Sequence, residues 1–188
     1  MASRYDAPVG TMEERDSSQL WPGDWVDATG FGTYYDATGA WAYHTGADLN
    51  LNKPTWDADR DAPVYAVADG TVVYAAINTA WGTNNAIITI RHSDGIWSRY
   101  AHIEKLLVKA GDFVTRGQRI AEIGNAGGRY PSHLHFDVAR LDLGAKPADW
   151  PGADKARLLR DYVDPLQWIK NHHKETTPKW ASSGQSKR

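Results

Sequence analysis

Ala86-Ile-Ile-Thr-Ile-Arg91, Ser93-Asp94-Gly95 and Ile96-Trp-Ser-Arg-Tyr-Ala-His102 follow one another as an apolar β-branched run, a turn and a second run rich in aromatics. Such a triplet reads as an antiparallel hairpin, because β-branched and aromatic side chains fit a pleated surface and glycine supplies the turn. Its second strand ends on a histidine. Upstream, Pro63–Ala68 and Thr71–Ile77 flank Asp69-Gly70 and read as another hairpin, since Asp-Gly is a strong two-residue turn signal. Downstream, residues 111–123 hold two short strands about Gly117, and Gly124-Asn-Ala-Gly-Gly128 is a loop leading into a strand at His133. Helical signals are few: residues 153–160, and a second short helix with Pro165 at its first position. Many short strands spaced by turns predict an all-β fold, a mostly antiparallel, two-layer, sandwich-like sheet with few short helices. Residues 1–40, rich in Gly, Asp, Ser and Thr without a sustained period, read as an irregular N-terminal arm wrapping a domain over 41–170. Residues 171–188 read as a frayed polar tail.

Composition narrows the chemistry. A chain of 188 residues with 41% hydrophobic content can bury one core, and length favours a single domain. A formal charge of −2 offers no footprint for nucleic acid. The absence of cysteine removes disulfides, thiolate zinc ribbons and thiol nucleophiles, so any metal must rest on histidine and carboxylate. No window reaches the ~18 apolar residues of a membrane span, and the first residues lack a secretory signal's apolar stretch. A mature secreted fragment, a phage lysis protein and a cytoplasmic protein all fit. Nine tryptophans and nine tyrosines against three phenylalanines point to wet aromatics: Trp21, Trp25, Trp41, Trp56, Trp81 and Trp97 read as caps on a β core, with a sugar- or peptide-binding groove as the alternative.

Within this frame, His133-Leu-His135 places two imidazoles on one face of a strand. His44-Thr-Gly-Ala-Asp48 contains Gly46, which suits a loop entering a strand better than a helix face. Imidazole nitrogen and carboxylate oxygen are both good zinc donors, and three such ligands leave a fourth position open for water or substrate.

His44-x-x-x-Asp48, Tyr100-Ala-His102, Gly111-Asp-x-Val-x-x-Gly117-Gln-x-Ile120 and His133-Leu-His-Phe-Asp-Val138, in that order, resemble the catalytic domain of the lysostaphin/LytM-type zinc endopeptidases. The resemblance covers residues 41–140 and extends weakly to Asp164-Pro165-Leu166. It implies a mostly antiparallel β fold with a groove carrying Zn2+, and hydrolysis of peptide bonds in bacterial cell-wall peptidoglycan, outside the cell or in its envelope. It also implies that His44, Asp48 and His135 ligate zinc, while His102 and His133 are catalytic without being primary ligands. The His-Glu-x-x-His helix motif of another metalloprotease class is absent, so a histidine must serve as base.

The surroundings depart from the family's pattern. Arg129-Tyr130-Pro131-Ser132 stands where a Gly- and Thr-rich stretch is usual, and the segment after Asp48 is longer and more polar than expected. For the family's substrate-contacting tyrosine, Tyr34, Tyr35 and Tyr43 compete. His92 reads as solvated, Asp137 as an exposed carboxylate with a hydrogen bond to a ligand as the alternative, and His172-His173 as tail residues. The Gly111–Ile123 stretch also resembles biotinyl and lipoyl carrier domains, but the only methionines, Met1 and Met12, do not flank a hairpin lysine there. The rival function is a catalytically inactive cell-wall-binding or hydrolase-activator module on the same fold.

Overall fold

A computed structural model describes residues 4–16, 19–37, 39–51 and 57–173. Trp56 and the tail beyond His173 lie outside them. The elements in chain order are α1 (Met12–Arg15), β1 (Trp25–Asp27), β2 (Tyr34–Asp36), β3 (Trp41–Tyr43), β4 (Ala47–Leu51), β5 (Pro63–Tyr65), β6 (Gly70–Ala76) and β7 (Ala86–His92). There follow β8 (Trp97–Leu106), β9 (Phe113–Val114), β10 (Arg119–Ile123), β11 (Leu134–Ala139), α2 (Lys155–Asp161), β12 (Tyr162–Val163) and α3 (Pro165–His172). The fold is mostly antiparallel β with few short helices. Ten strands share one hydrogen-bonded network, ordered β1-β4-β11-β8-β7-β6-β9, with β12 on β11 and the β5–β10 pair attached through β8.

The branch at β8 organises the molecule. Its first half pairs with β7 and β11, and its second half pairs with β10. His102 marks the change of partner. Opposite it the register slips between Ala86 and Ile87 on β7, and its φ is +61°; a second slip, between Glu122 and Ile123 on β10, falls two residues later at Glu104. His102 is therefore a bulged residue in mid-strand rather than the end of a hairpin, and a bulge re-aims a side chain that the pleat would otherwise direct.

The β7–β8 hairpin forms as expected, with Gly95 at positive φ in the turn. The one expected about Asp69-Gly70 does not. β5 pairs with β10, while β6 pairs with β7 and β9. A tight Asp-Gly hairpin turn needs positive φ, and neither residue has it. Gly70 is instead a point of close approach: a Cβ there would lie 2.6 Å from Ile90 and 2.7 Å from the Arg91 carbonyl. Between the two strands, Ala66 bonds Gln118 and Gly117, and Val67 accepts from Asp6, so the chain passes to a different neighbour.

The core gathers Leu49, Val72, Ile88, Ile90, Tyr100, Ile103, Ile123, Leu134 and Phe136, all buried. Tyr5, Val9 and Leu20 join it, and β1 hydrogen-bonds to β4, so the residues read as an irregular arm supply both core and sheet. α2 and α3 fall where the sequence suggested, α3 with Pro165 in its first position, and Asp154 and Asp164 cap them. His172 closes α3 stacked on Trp168, and His173 is buried, so these residues are not a loose tail. His92 is buried too, between the Asp69 carbonyl and the Ser98 hydroxyl, because it shares the core-facing side of its strand with Ile88 and Ile90 while Arg91 takes the exposed side; it is not solvated.

Candidate metal centre

Strand register brings the first three residues together. β4 and β11 run antiparallel with Asp48 directly opposite His135, and His44 enters from the turn before β4. His44 Nε2 lies 3.0 Å from Asp48 Oδ1 and 3.0 Å from His135 Nδ1, and the last two atoms are 2.9 Å apart. Donors bound to zinc at 2.0–2.1 Å with tetrahedral angles stand roughly 3.3 Å from one another, close to this triangle.

The far nitrogens explain why the triangle suits a cation. His44 Nδ1 donates to the Gly30 carbonyl at 3.3 Å, and His135 Nε2 donates to Asp137 Oδ2 at 2.9 Å. With those protons assigned, both facing nitrogens carry lone pairs, and they converge with a carboxylate oxygen on one point. Three acceptors so placed repel unless a positive charge lies between them: a proton on His135, whose pKa is raised to about 9 in the metal-free protein, or a metal ion that displaces that proton. His44, Asp48 and His135 are thus residues that could hold a metal.

Asp137 is not an exposed carboxylate. It is fully buried, because β11 is covered on both faces, and its Oδ2 also accepts from Arg99 Nε at 2.5 Å. Arg99, likewise fully buried, donates to the carbonyls of Pro147 and Asp149 and lies over the Trp81 ring at 4.5 Å. Burial alone would raise the Asp137 pKa, but Arg99 and His135 outweigh it and hold the carboxyl far below its usual range. The same pair acts on His135: burial pushes its pKa down, Asp137 and Asp48 push harder, and it rises to about 9. Asp48, half-buried among imidazoles, stays ionised because His44 and His135 overcome desolvation. Asp27 accepts from the Asp48 backbone N–H at 3.1 Å, tying β1 to β4.

His102 and His133 stand beside this triangle with their rings 4.5 Å apart, and His133 Nε2 is 3.7 Å from Asp48 Oδ1. Their tautomers follow from their neighbours. Asn85 Nδ2 donates to the Trp81 carbonyl, so its Oδ1 is free to accept both the His102 backbone N–H at 3.1 Å and His102 Nδ1–H at 3.2 Å. His133 Nδ1 donates to the Pro131 carbonyl at 2.8 Å. Both Nε2 atoms are then bare. Burial lowers both pKa values, reinforced for His102 by its imidazole neighbours and opposed for His133 by Asp48, so both rings are neutral at neutral pH.

Asp48, His102, His133 and His135, but not His44, line one cavity of about 410 Å³, with Trp81 and Trp150 packed edge to face as a wall. Of the three competing tyrosines, Tyr35 lines the cavity and meets the His44 ring, whereas Tyr34 and Tyr43 stack on each other. Tyr130, which the sequence did not single out, lies against His102 and His133. Trp25 and Trp97 are buried as expected of core caps; Trp81 lines the cavity, and Trp41 is exposed. Asn85, Arg99 and Trp150 also escaped the sequence reading. Only the proximity of Arg99 and Asn85 to strand β8 and its partner could have drawn attention to them.

Residues 42–149, more than half the chain, match the model of peptidase family M23. The chain belongs to peptidase family M23. Among curated relatives, the peptidoglycan DD-endopeptidase ShyB of Vibrio cholerae is 38% identical over 92 residues, covering 48% of this chain and 21% of ShyB. The murein hydrolase activator NlpD of Escherichia coli is 43% identical over 75 residues, covering 40% of this chain and 19% of NlpD. The chain thus spans about a fifth of the length of these relatives. Among solved structures, a zinc-containing peptidase from Vibrio cholerae aligns at TM-score 0.53 and 30% identity over 72% of this chain and 37% of that one. The catalytic domain of the antimicrobial peptidase lysostaphin from Staphylococcus simulans aligns at TM-score 0.56 and 25% identity over 78% and 92% of the two chains. This M23 fold places the cavity, lined by His102, His133 and His135, at the junction of β4, β8 and β11.

Proposed function

We propose that the chain is a zinc-dependent endopeptidase that hydrolyses peptide bonds in bacterial peptidoglycan, acting in the cell envelope or outside the cell. His44 Nε2, Asp48 Oδ1 and His135 Nδ1 hold the metal, and His102 and His133 are the catalytic imidazoles. We assign the activity to residues 41–170. The observation that carries the reading is the separation of two sets of donor atoms side by side: three that converge on a point and two imidazole nitrogens that flank it.

Bound there, zinc supplies Lewis acidity toward the scissile carbonyl and lowers the pKa of water toward neutrality. The remaining work falls to the chain's own side chains. A neutral imidazole with a bare Nε2 accepts the proton of the attacking water, and the same nitrogen then has a proton to return to the leaving amine. His102 and His133 are both poised for this, each fixed by an acceptor on Nδ1, and the ring that is not the base is placed to stabilise the developing oxyanion. Trp81 and Trp150 exclude water from one side.

A second reading, a non-enzymatic activator of other hydrolases, is favoured by the similarity to NlpD. One experiment separates the two: zinc content is measured, then purified peptidoglycan is incubated with the protein with and without chelator. New amino termini that appear only without chelator support the peptidase. Solubilisation only in the presence of a second hydrolase supports the activator.

A further inference from the structure

Arg129 occupies the stretch that departs from the family's usual Gly- and Thr-rich pattern, and it lines the cavity shared by Asp48, His135, His102 and His133. Apart from imidazoles it is the one cationic side chain lining that cavity among the described residues. It makes no ion pair among them; its one hydrogen bond runs from Nη1 to the Trp81 carbonyl at 3.2 Å. The guanidinium is nonetheless positioned. It lies on Gly82, where a Cβ would come within 3.0 Å of Nη1, so this backbone is shaped to let the fork pack flat. Tyr130, the next residue, has its ring 5.1 Å from His102, which anchors the segment beside the flanking imidazoles.

A guanidinium has five N–H donors in a planar fork, and one is used here. The unspent donors and the uncompensated charge match a carboxylate, which accepts two parallel N–H bonds. Asp36, the exposed carboxylate on the same cavity, accepts from the Gly39 backbone rather than from Arg129. The cation is left for something that enters from solvent.

We propose that Arg129 is a specificity-determining residue that binds a free carboxylate of the stem peptide, so that the preferred cross-link is acidic rather than an uncharged glycine bridge. The inference rests on the endopeptidase reading for its substrate. Peptidoglycan cross-linked through a diamino diacid supplies the ligand: the carbon bonded to the scissile nitrogen bears a carboxylate there. A glycine bridge offers none.

The test is binding of a monomeric diamino-diacid tetrapeptide to the zinc-loaded full chain, with the carboxylate free or converted to carboxamide, in parallel with turnover of the cross-linked dimer. Wild type should bind the free acid roughly 10- to 100-fold more tightly than the amide, the range expected of a charge-assisted hydrogen bond. Arg129→Gln should reduce that ratio to near one, and Arg129→Lys should keep part of it. Arg129 is exposed, so both variants should fold as wild type does. Equal binding of the two peptides by wild type, no binding of either, or an undiminished ratio in Arg129→Gln would each overturn the assignment. If the ratio behaves as stated and the dimer is not cleaved, the carboxylate site stands and the endopeptidase reading falls.

Discussion

Asp137→Asn should weaken zinc binding and destabilise the metal-free protein, and the two effects have different origins. Asp137 Oδ2 serves two donors, Arg99 Nε at 2.5 Å and His135 Nε2 at 2.9 Å, with both side chains of the ion pair fully buried. Asparagine has nearly the same shape but no charge: its carbonyl oxygen can stand where Oδ2 does and accept from both donors, and its amide takes the place of Oδ1, which has no hydrogen-bond partner, so what the substitution removes is the negative charge. Arg99 then remains buried with its charge uncompensated, for which about 3–5 kcal/mol is the usual cost of breaking a buried pair. The carbonyls of Pro147 and Asp149 still accept from Arg99, which favours the lower end. His135 loses the anion that orients it and raises its basicity, and loss of such an outer partner typically lowers metal affinity about 10- to 100-fold.

Chemical denaturation in chelator reads the first effect, and competition with a chromophoric chelator reads the second. The pH dependence gives an internal check. Asp137 has a depressed pKa in the folded protein, so its contribution is full above the unfolded value of about 4 and is lost as pH falls below it. The gap between wild type and variant should therefore be widest at neutral pH and narrow in acid. His135 carries the opposite sign: raised to about 9, it stabilises the metal-free fold below about pH 6.5, and that contribution fades as pH rises through 9. Zinc affinity within twofold of wild type, with an unchanged denaturation midpoint, would refute the claim that Asp137 links Arg99 to the ligand.

His102→Ala and His133→Ala should retain zinc by elemental analysis while hydrolysis falls by at least about 100-fold, whereas His44→Ala and Asp48→Ala should lose the metal; a fully active His133→Ala would end the division of roles. Asn85→Ala should lower kcat about 10- to 100-fold at unchanged zinc content, because Oδ1 fixes the His102 tautomer; nitrogen NMR should show mixed His102 tautomers, and an unmixed spectrum would reject that role. Asp59 is buried with Oδ2 unpartnered, and burial raises its pKa to about 6. Its contribution is present below about pH 4 and lost as pH rises through 6, so Asp59→Asn should gain about 1–2 kcal/mol over wild type at pH 7 and little at pH 4; equal gains at both pH values would contradict the assignment.

The residues of the site were legible in proportion to how local their signal is. His133 and His135 are two residues apart across the start of β11, and His44 and Asp48 are four apart across the start of β4, so their types and spacing suffice to nominate them. That Asp48 faces His135 depends on the β4–β11 register, which no local pattern encodes. Asp137 and Arg99 were unreadable for a related reason: alternation sends a polar residue to solvent only where one face of the sheet is open, and β11 is buried along its whole length. His102 looked like a strand end because a bulge leaves no mark in composition. The Asp69-Gly70 pair was misread because glycine serves close approach as well as turns, and only the distance to Ile90 tells which. β1, three residues of Trp-Val-Asp, is too short to carry a period.

The central claim is that lone pairs converging from β4, β11 and the preceding turn hold a zinc that works with His102 and His133 on peptide bonds. It is tested most directly by loading the full chain with one equivalent of zinc and counting new amino termini released from purified peptidoglycan. The account predicts release that chelator abolishes, that zinc restores and that His133→Ala lacks. Release that persists in chelator, or none at full zinc occupancy, would contradict it.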